Sequence, residues 1–321
     1  LDLTTILFFV AGFALIVKGG DYFVGASVAI AEHAGIPRIV IGSTIVSVAT
    51  TSPEFIVSAT ASLTGRPGIA IGNAVGSAIV NIGLILGLTC IVRPIPVKRE
   101  EFHFPSLSLL AAAVLLTVLT VGLTLSRASG FLLLVLGLLY LFFDYFRHRR
   151  RAPNRSSEAT SSGLHDPRMR TLRRAVFFFL LGLAMVGGGS RLMIGSAVKI
   201  AEFLGVRPIF IGLTLVAFGT SLPELVTAIA SVRKRVADLS LGNIVGAGLL
   251  NCTVVTGTAA AIAPLSMSRV TQLYNLPALV LVVATLILLA RARNNLSRLD
   301  GGILFILYAA YIAGLILLRG T

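Results

Sequence analysis

AEHAGIPRIVIG at 31–42 returns as AEFLGVRPIFIG at 201–212, an offset of 170 residues. The same offset carries Thr50, Pro53 and Glu54 onto Thr220, Pro223 and Glu224. It carries Gly72, Asn73, Gly76 and Asn81 onto Gly242, Asn243, Gly246 and Asn251. Neither block needs a gap, so the two halves are one fold built twice. What repeats best is polar: a Glu beside a Pro and hydroxyls, followed 27 residues later by an Asn. Such groups are expensive in lipid, and two copies of them point to one site shared between the halves.

The 321 residues are 56% hydrophobic and 12% charged, with a mean hydropathy of +0.94. A soluble chain carries about 25% charged residues. The apolar stretches are long and continuous, where barrel strands would alternate over about ten residues. The fold class is therefore an all-α integral membrane protein. Ten spans can be counted, near 2–30, 36–63, 67–92, 105–125, 128–146, 175–200, 206–232, 238–264, 272–290 and 301–318. The first is followed by repeat sequence rather than a small-residue cleavage site, so it reads as a span. Five spans per half send the second half into the membrane from the opposite side, which makes two inverted five-helix repeats at 1–146 and 175–321.

Lys and Arg set the orientation. Nineteen lie on one side under this topology: Arg38, Arg93, Lys98, Arg99, nine arginines in 147–174, Arg233, Lys234, Arg235, Arg291, Arg293 and Arg298. The other side holds Arg66, Arg127, Arg207, Arg269 and Arg319. The positive-inside rule then puts both termini outside and the segment 147–174 in the cytoplasm of an inner, or cell, membrane. That segment is Ser-, Pro- and Arg-rich and reads as a basic, mobile linker, too short for a folded sensor. The net charge of +14 follows from these loops and does not call for nucleic acid. Cys90 and Cys252 lie in apolar spans and read as small hydrophobes, with no disulfide framework.

Of thirteen acidic residues, only Glu54 and Glu224 are expected deep inside a span. Each costs roughly 2.5–3.5 kcal/mol on insertion scales, so both should face the bundle interior. Pro53 and Pro223 donate no hydrogen bond and free the carbonyls of Ala49 and Gly219, with those of Ser47 and Ala217 nearby. Thr50, Thr51 and Ser52 add hydroxyls in the first copy; Thr220 and Ser221 do so in the second. The partner segments GNAVGSAIVN (72–81) and GNIVGAGLLN (242–251) supply Asn81, Asn251 and Ser77, and their glycines can unwind a turn. This inventory is all oxygen, and its two carboxylates balance Ca²⁺, which takes about six to eight oxygens at about 2.3–2.6 Å. Zinc or copper would want His or Cys.

Blander roles account for other polar residues. Ser62 and Thr64 read as interhelical glue, and Gly72 and Gly242 as packing. Asn73 and Asn243 stay open between capping the break and ligating. Glu32 and Glu202 sit beside loops and read as caps. Lys18 and Asp21 are three apart and can pair on one helix.

The motifs ATTSPE and GTSLPE, with GNAVGSAIVN and GNIVGAGLLN, resemble the two alpha-repeats of the sodium/calcium exchanger family within the calcium/cation antiporters. The resemblance covers both halves. It implies ten helices in inverted repeats, with helices two, three, seven and eight forming the site. It implies Glu54 and Glu224 as central Ca²⁺ ligands, helped by Thr50 and Thr220. It implies Na⁺ ligands among Thr51, Ser77 and Ser221, with carbonyls at Ser47 and Ala217, and helices one and six that slide to alternate access. The chain departs from the pattern where TTSPE replaces TSxPE, where Ala78 and Gly248 replace an Asn, where Ala247 lacks a hydroxyl, and where Asn251 replaces a frequent Asp.

The expected function is secondary antiport: Ca²⁺ outward against Na⁺ inward, through a midplane site shared by the repeats. Ca²⁺ and Na⁺ are then substrates rather than cofactors, the bilayer is the other partner, and no feature calls for an obligate protein partner. Ca²⁺/H⁺ exchange on the same scaffold is the alternative. A cation channel fits an inverted pair less well. An intramembrane hydrolase using Ser52 or Ser221 has no His within reach, so the chain is not expected to be an enzyme.

Overall fold

The structure is a computed structural model that describes residues 3–149, 169–203 and 217–318. Within them the chain is helical apart from two short ribbons. Helix α1 covers Leu3–Ala34. The second span is broken: α2, Arg38–Thr50, and α3, Ser52–Leu63, meet at a 44° bend. Helix α4 covers Pro67–Val92, α5 Arg99–Leu119, α6 Arg127–Arg149 and α7 Leu172–Phe203. The second half continues with α8 (Ala217–Thr220), α9 (Leu222–Arg233), α10 (Ala237–Ile262), α11 (Leu276–Arg293) and α12 (Arg298–Leu317). Among the described residues, eight helices are long and apolar enough to cross a membrane, and the bent pair makes a ninth. The start of the expected span 206–232 and the middle of the linker lie outside the described residues. The ends of the linker are helical, since α6 runs on to Arg149 and α7 begins at Leu172.

Contacts repeat when residue numbers are exchanged between the halves. A Cβ at Gly12 would lie 2.8 Å from the Gly189 carbonyl, and one at Gly182 would lie 2.8 Å from the Gly19 carbonyl. Gly12 and Gly182 are 170 apart, as are Gly19 and Gly189, so each contact is the image of the other. The pairing also makes α1 and α7 antiparallel neighbours at near backbone contact. The ribbons behave alike. Strands β1 (Ile95–Pro96), β2 (Thr124–Leu125), β3 (Leu265–Ser266) and β4 (Asn295–Leu296) pair antiparallel as β1 with β4 and β2 with β3. Each ribbon takes one strand from each half, with Ile95 opposite Leu296 and Leu125 opposite Leu265.

Helices α4 and α10 form the centre. Their apolar windows are 67% and 83% buried, against 17–39% for the other unbroken spans. Small residues allow this. Gly242 lies against the Ile39 carbonyl and Gly246 against that of Ser43, so any side chain there would push α2 off α10. The glycines do not unwind α4 or α10, contrary to expectation: both stay helical through them. The irregularity falls later, where wide π turns cover Val80–Leu86 and Asn251–Val255. Such turns recur at functional sites because the extra residue frees backbone groups and redirects a side chain. Here they carry Asn81 and Asn251.

Ion pairs tie elements together at their ends. Arg38 reaches Asp238 at 3.1 Å, joining α2 to α10. Asp21 does not pair with Lys18 as the spacing suggests. It pairs with Arg233 of α9 at 3.6 Å, while Lys18 sits 5.2 Å from the Tyr22 ring centre.

Candidate functional site

The break in the second span is built by Thr51 and Pro53. Thr51 has φ −79°, ψ −2°, and its counterpart Ser221 has φ −88°, ψ 8°. This is the bridge region that ends a helix without a Gly. Pro53 and Pro223 then open the next helices, in first-turn positions where a missing N–H costs nothing. Phe55 N–H still bonds the Thr51 carbonyl, and Leu225 N–H that of Ser221. Pro53 and Pro223 have no N–H to give the Ala49 and Gly219 carbonyls four residues before them.

Glu54 and Glu224 follow at once, in the first turns of α3 and α9, and both are fully buried. A helix N-terminus favours an anion there. Ser221 Oγ donates to Glu54 Oε1 at 3.4 Å, across the two halves. Ser77 also faces Glu54, and Thr50 faces Glu224. Among the described residues, the charged group that acts on Glu54 is Glu224 rather than a base. Glu54 Oε2 and both carboxylate oxygens of Glu224 have no hydrogen-bond partner.

The threonines bridge the halves reciprocally. Thr50 Oγ1 donates to Asn243 Oδ1 at 3.0 Å, and Thr220 Oγ1 donates to Asn73 Oδ1 at 3.3 Å. Ser77 Oγ lies 3.5 Å from Thr220 Oγ1. Thr51 is buried with its hydroxyl unpartnered. The Ser47 carbonyl accepts from the Thr51 N–H at 2.9 Å and from Thr50 Oγ1 at 3.4 Å. Ala217 opens α8 beside the undescribed stretch. Ser52 is turned away: it is exposed and bonds the Val48 carbonyl at 3.0 Å.

Asn81 and Asn251 do not bond the carboxylates. Both are fully buried, and all four of their side-chain polar atoms lack a partner. Their π turns pack across the halves, that of Asn81 against α9, which carries Glu224, and that of Asn251 against α3, which carries Glu54. No group of three or more His, Cys, Asp or Glu gathers among the described residues. The cluster is thus two carboxylates among neutral oxygens, an arrangement suited to a hard cation.

Two features are not legible in the sequence. Asn73 and Asn243 stayed open between roles, yet they join the halves at the centre of the site. Their offset of 170 was visible; their partners were not. Asp144, the last residue of the apolar stretch Arg127–Asp144 of α6, is a third fully buried carboxylate. It accepts from Ser43 Oγ at 3.0 Å and from Tyr140 OH at 3.4 Å. Its sequence signal is weak because it lies next to the basic linker and has no acidic counterpart in the second half.

Known proteins resemble the chain over most of its length. The family model described as sodium/calcium exchanger protein matches residues 4–146 and 174–317. The inner membrane protein YrbG of Escherichia coli (strain K12) is 38% identical over 257 residues, 79% of each chain. Sodium/calcium exchanger MaX1 of Methanosarcina acetivorans is 28% identical over 338 residues, covering 95% of this chain and 97% of its own. A solved structure of the sodium-calcium exchanger NCX_Mj, soaked with Na⁺ and Sr²⁺, superposes with a TM-score of 0.84 at 31% identity, over 97% of this chain and 98% of that one. The chain belongs to the sodium/calcium exchanger protein family, and is a membrane cation antiporter rather than an enzyme.

Proposed function

We propose that the protein exports Ca²⁺ in exchange for Na⁺, by alternating access at one site shared by two inverted five-helix repeats. The carrying observation is that Glu54 and Glu224 are both fully buried in the first turns of helices from opposite halves, and that Ser221 of the second half donates to Glu54 of the first. Two buried carboxylates with no fixed countercharge among the described residues are costly in a low-dielectric interior. A bound cation relieves that cost, and an empty site resists the switch between access states. Exchange rather than leak follows from this electrostatic gate.

In this reading Glu54, Glu224, Thr50 and Thr220 hold Ca²⁺. Na⁺ is held by Thr51, Ser77, Ser221 and the carbonyls of Ser47 and Ala217, with Asn81 and Asn251 as the amide oxygens beyond. Unpartnered buried oxygens at Thr51, Asn81 and Asn251 support the assignment, since an unsatisfied polar atom in a dry core needs a ligand. The repeats are 1–146 and 175–321, ten spans in all, with 147–174 as a cytoplasmic linker and both termini outside. The reciprocal glycine contacts of α1 and α7 and the exchanged ribbons support the inversion. The α1–α7 pair is the element that slides over the rest, and its close glycine seam suits such motion.

A proton is the alternative counter-ion. Ala247 stands where the first half has Ser77, so the second half offers one neutral oxygen fewer to Na⁺. Purified protein in proteoliposomes, with Na⁺ and pH gradients imposed separately, decides between them. Ca²⁺ uptake driven by a pH gradient in Na⁺-free buffer would overturn the Na⁺ reading. Ca²⁺ movement with no counter-ion would overturn antiport itself.

A further inference from the structure

The two asparagines that hold the site threonines are not held alike. Asn73 Nδ2 donates to the Glu54 carbonyl at 3.1 Å and to Ser58 Oγ at 2.9 Å. Ser58 Oγ donates in turn to the Ala70 carbonyl at 3.1 Å. A backbone carbonyl can only accept, so the amide nitrogen must face it. Asn73 Oδ1 then has one direction left, toward Thr220 Oγ1. Asn73 Oδ1 thereby takes the Thr220 proton, which turns that hydroxyl's lone pairs away from Asn73.

In the second half, Ala228 stands where Ser58 stands in the first, and Ser240 replaces Ala70. Asn243 Oδ1 accepts from Thr50, but Asn243 Nδ2 is buried without a partner. Ser240 Oγ is also buried and unpartnered. Among the described residues, no hydrogen bond to its Nδ2 therefore fixes which way the Asn243 amide points. Turned over, its Nδ2 donates to Thr50 Oγ1, and the Thr50 proton goes to the Ser47 carbonyl, already 3.4 Å away. That arrangement uses a lone pair of Thr50 and makes it a poorer cation ligand. The same turn at Asn73 would set its Oδ1 against the Glu54 carbonyl and lose both of its donations.

We propose that Ser58 is a positioning residue that locks Asn73 and, through it, Thr220, whereas Ala228 leaves Asn243 and Thr50 free to switch between a cation-binding and a cation-releasing arrangement. This rests on the reading of Thr50 and Thr220 as Ca²⁺ ligands. It gives the shared site one firm half and one yielding half, so Ca²⁺ is released by loosening Thr50 first.

The test is Ca²⁺ uptake kinetics of the reconstituted full chain. Losing one orienting hydrogen bond in Ser58→Ala raises half-saturating Ca²⁺ about three- to tenfold, with the maximal rate preserved. Ser58→Thr keeps the hydroxyl and behaves as the unmodified chain. Ala228→Ser lowers half-saturating Ca²⁺ and slows turnover, because it locks the half that must let go. In an Asn73→Ala background, Ser58→Ala adds nothing. Unchanged half-saturation in both Ser58→Ala and Ala228→Ser overturns the proposal, as does a Ser58→Ala effect that persists without Asn73. Should Ser58→Ala fail to fold, unchanged half-saturation in Ala228→Ser alone overturns it. Thr220→Val separates the two readings. Normal uptake in that variant removes the ligand assignment itself, whereas impaired uptake beside a normal Ser58→Ala removes only the positioning role.

Discussion

Ser221 Oγ of the second half reaches Glu54 Oε1 of the first at 3.4 Å, so the carboxylate of one repeat is served by the helix break of the other. Neither half can build the site alone. Glu54→Gln and Glu224→Gln should each abolish Ca²⁺ flux in proteoliposomes, since a single remaining charge no longer balances a divalent ion. Both variants should still run as folded protein on gel filtration, because removing one of two facing buried charges relieves the fold rather than straining it. Near-normal flux in either variant would dismiss the site.

The hydroxyl at Ser77 has no counterpart in the second half, where Ala247 stands. Ser77 lies 3.5 Å from Thr220 Oγ1 and also faces Glu54. Ser77→Ala should therefore raise the Na⁺ concentration that half-saturates exchange severalfold while leaving half-saturating Ca²⁺ within about twofold, the loss of one neutral oxygen ligand. Ca²⁺ efflux measured against a series of external Na⁺ concentrations checks this. Equal loss for both ions would show that Ser77 serves the shared centre instead.

The duplication makes much of this legible in the chain alone. An offset of 170 with polar residues preserved identifies paired segments, and pairing Glu54 with Glu224 needs only that both be buried. Prolines placed one residue earlier foretell the break at Thr51 and Ser221. Three things do not follow from the sequence. The π turns at Asn81 and Asn251 depend on how α4 and α10 pack against α9 and α3, which no single-helix pattern encodes. Asp144 carries the label of a span end, and only its burial against Ser43 reveals it as interior. Asp21 and Lys18 have the spacing of a helical pair, yet Arg233 of another helix competes for the carboxylate and wins it. Local spacing states which contacts are possible, and tertiary neighbours choose among them.

The glycine seam between α1 and α7 yields a separate expectation. A Cβ at Gly189 would lie 2.8 Å from the Gly12 carbonyl, and one at Gly19 3.0 Å from the Gly182 carbonyl. Gly188 meets nothing within 4 Å. Gly189→Ala should push the two helices apart and slow exchange by at least about tenfold, the equivalent of about 1.4 kcal/mol on the barrier. Equilibrium Ca²⁺ binding by the same variant should hold, since the site lies on other helices. Gly188→Ala should behave as the unmodified chain. Equal effects at 188 and 189 would argue against the close seam as what holds the moving pair together.

Asp144 tests whether a buried carboxylate outside the ion site acts on stability or on transport. Ser43 sits in the π turn of α2 and donates to it at 3.0 Å, while Tyr140 of the same helix approaches at 3.4 Å. Removing the Ser43 donor should weaken the α2–α6 contact by about 1–3 kcal/mol, the cost of taking one partner from a buried acceptor. Thermal unfolding in detergent should report this as a lower midpoint for Ser43→Ala, with a smaller drop for Tyr140→Phe, whose bond is longer. Ser43 is seven positions before Thr50, about 10 Å along the helix, so half-saturating Ca²⁺ should stay the same. A Ser43→Ala variant with full stability and altered Ca²⁺ affinity would move Asp144 from the scaffold to the transport path.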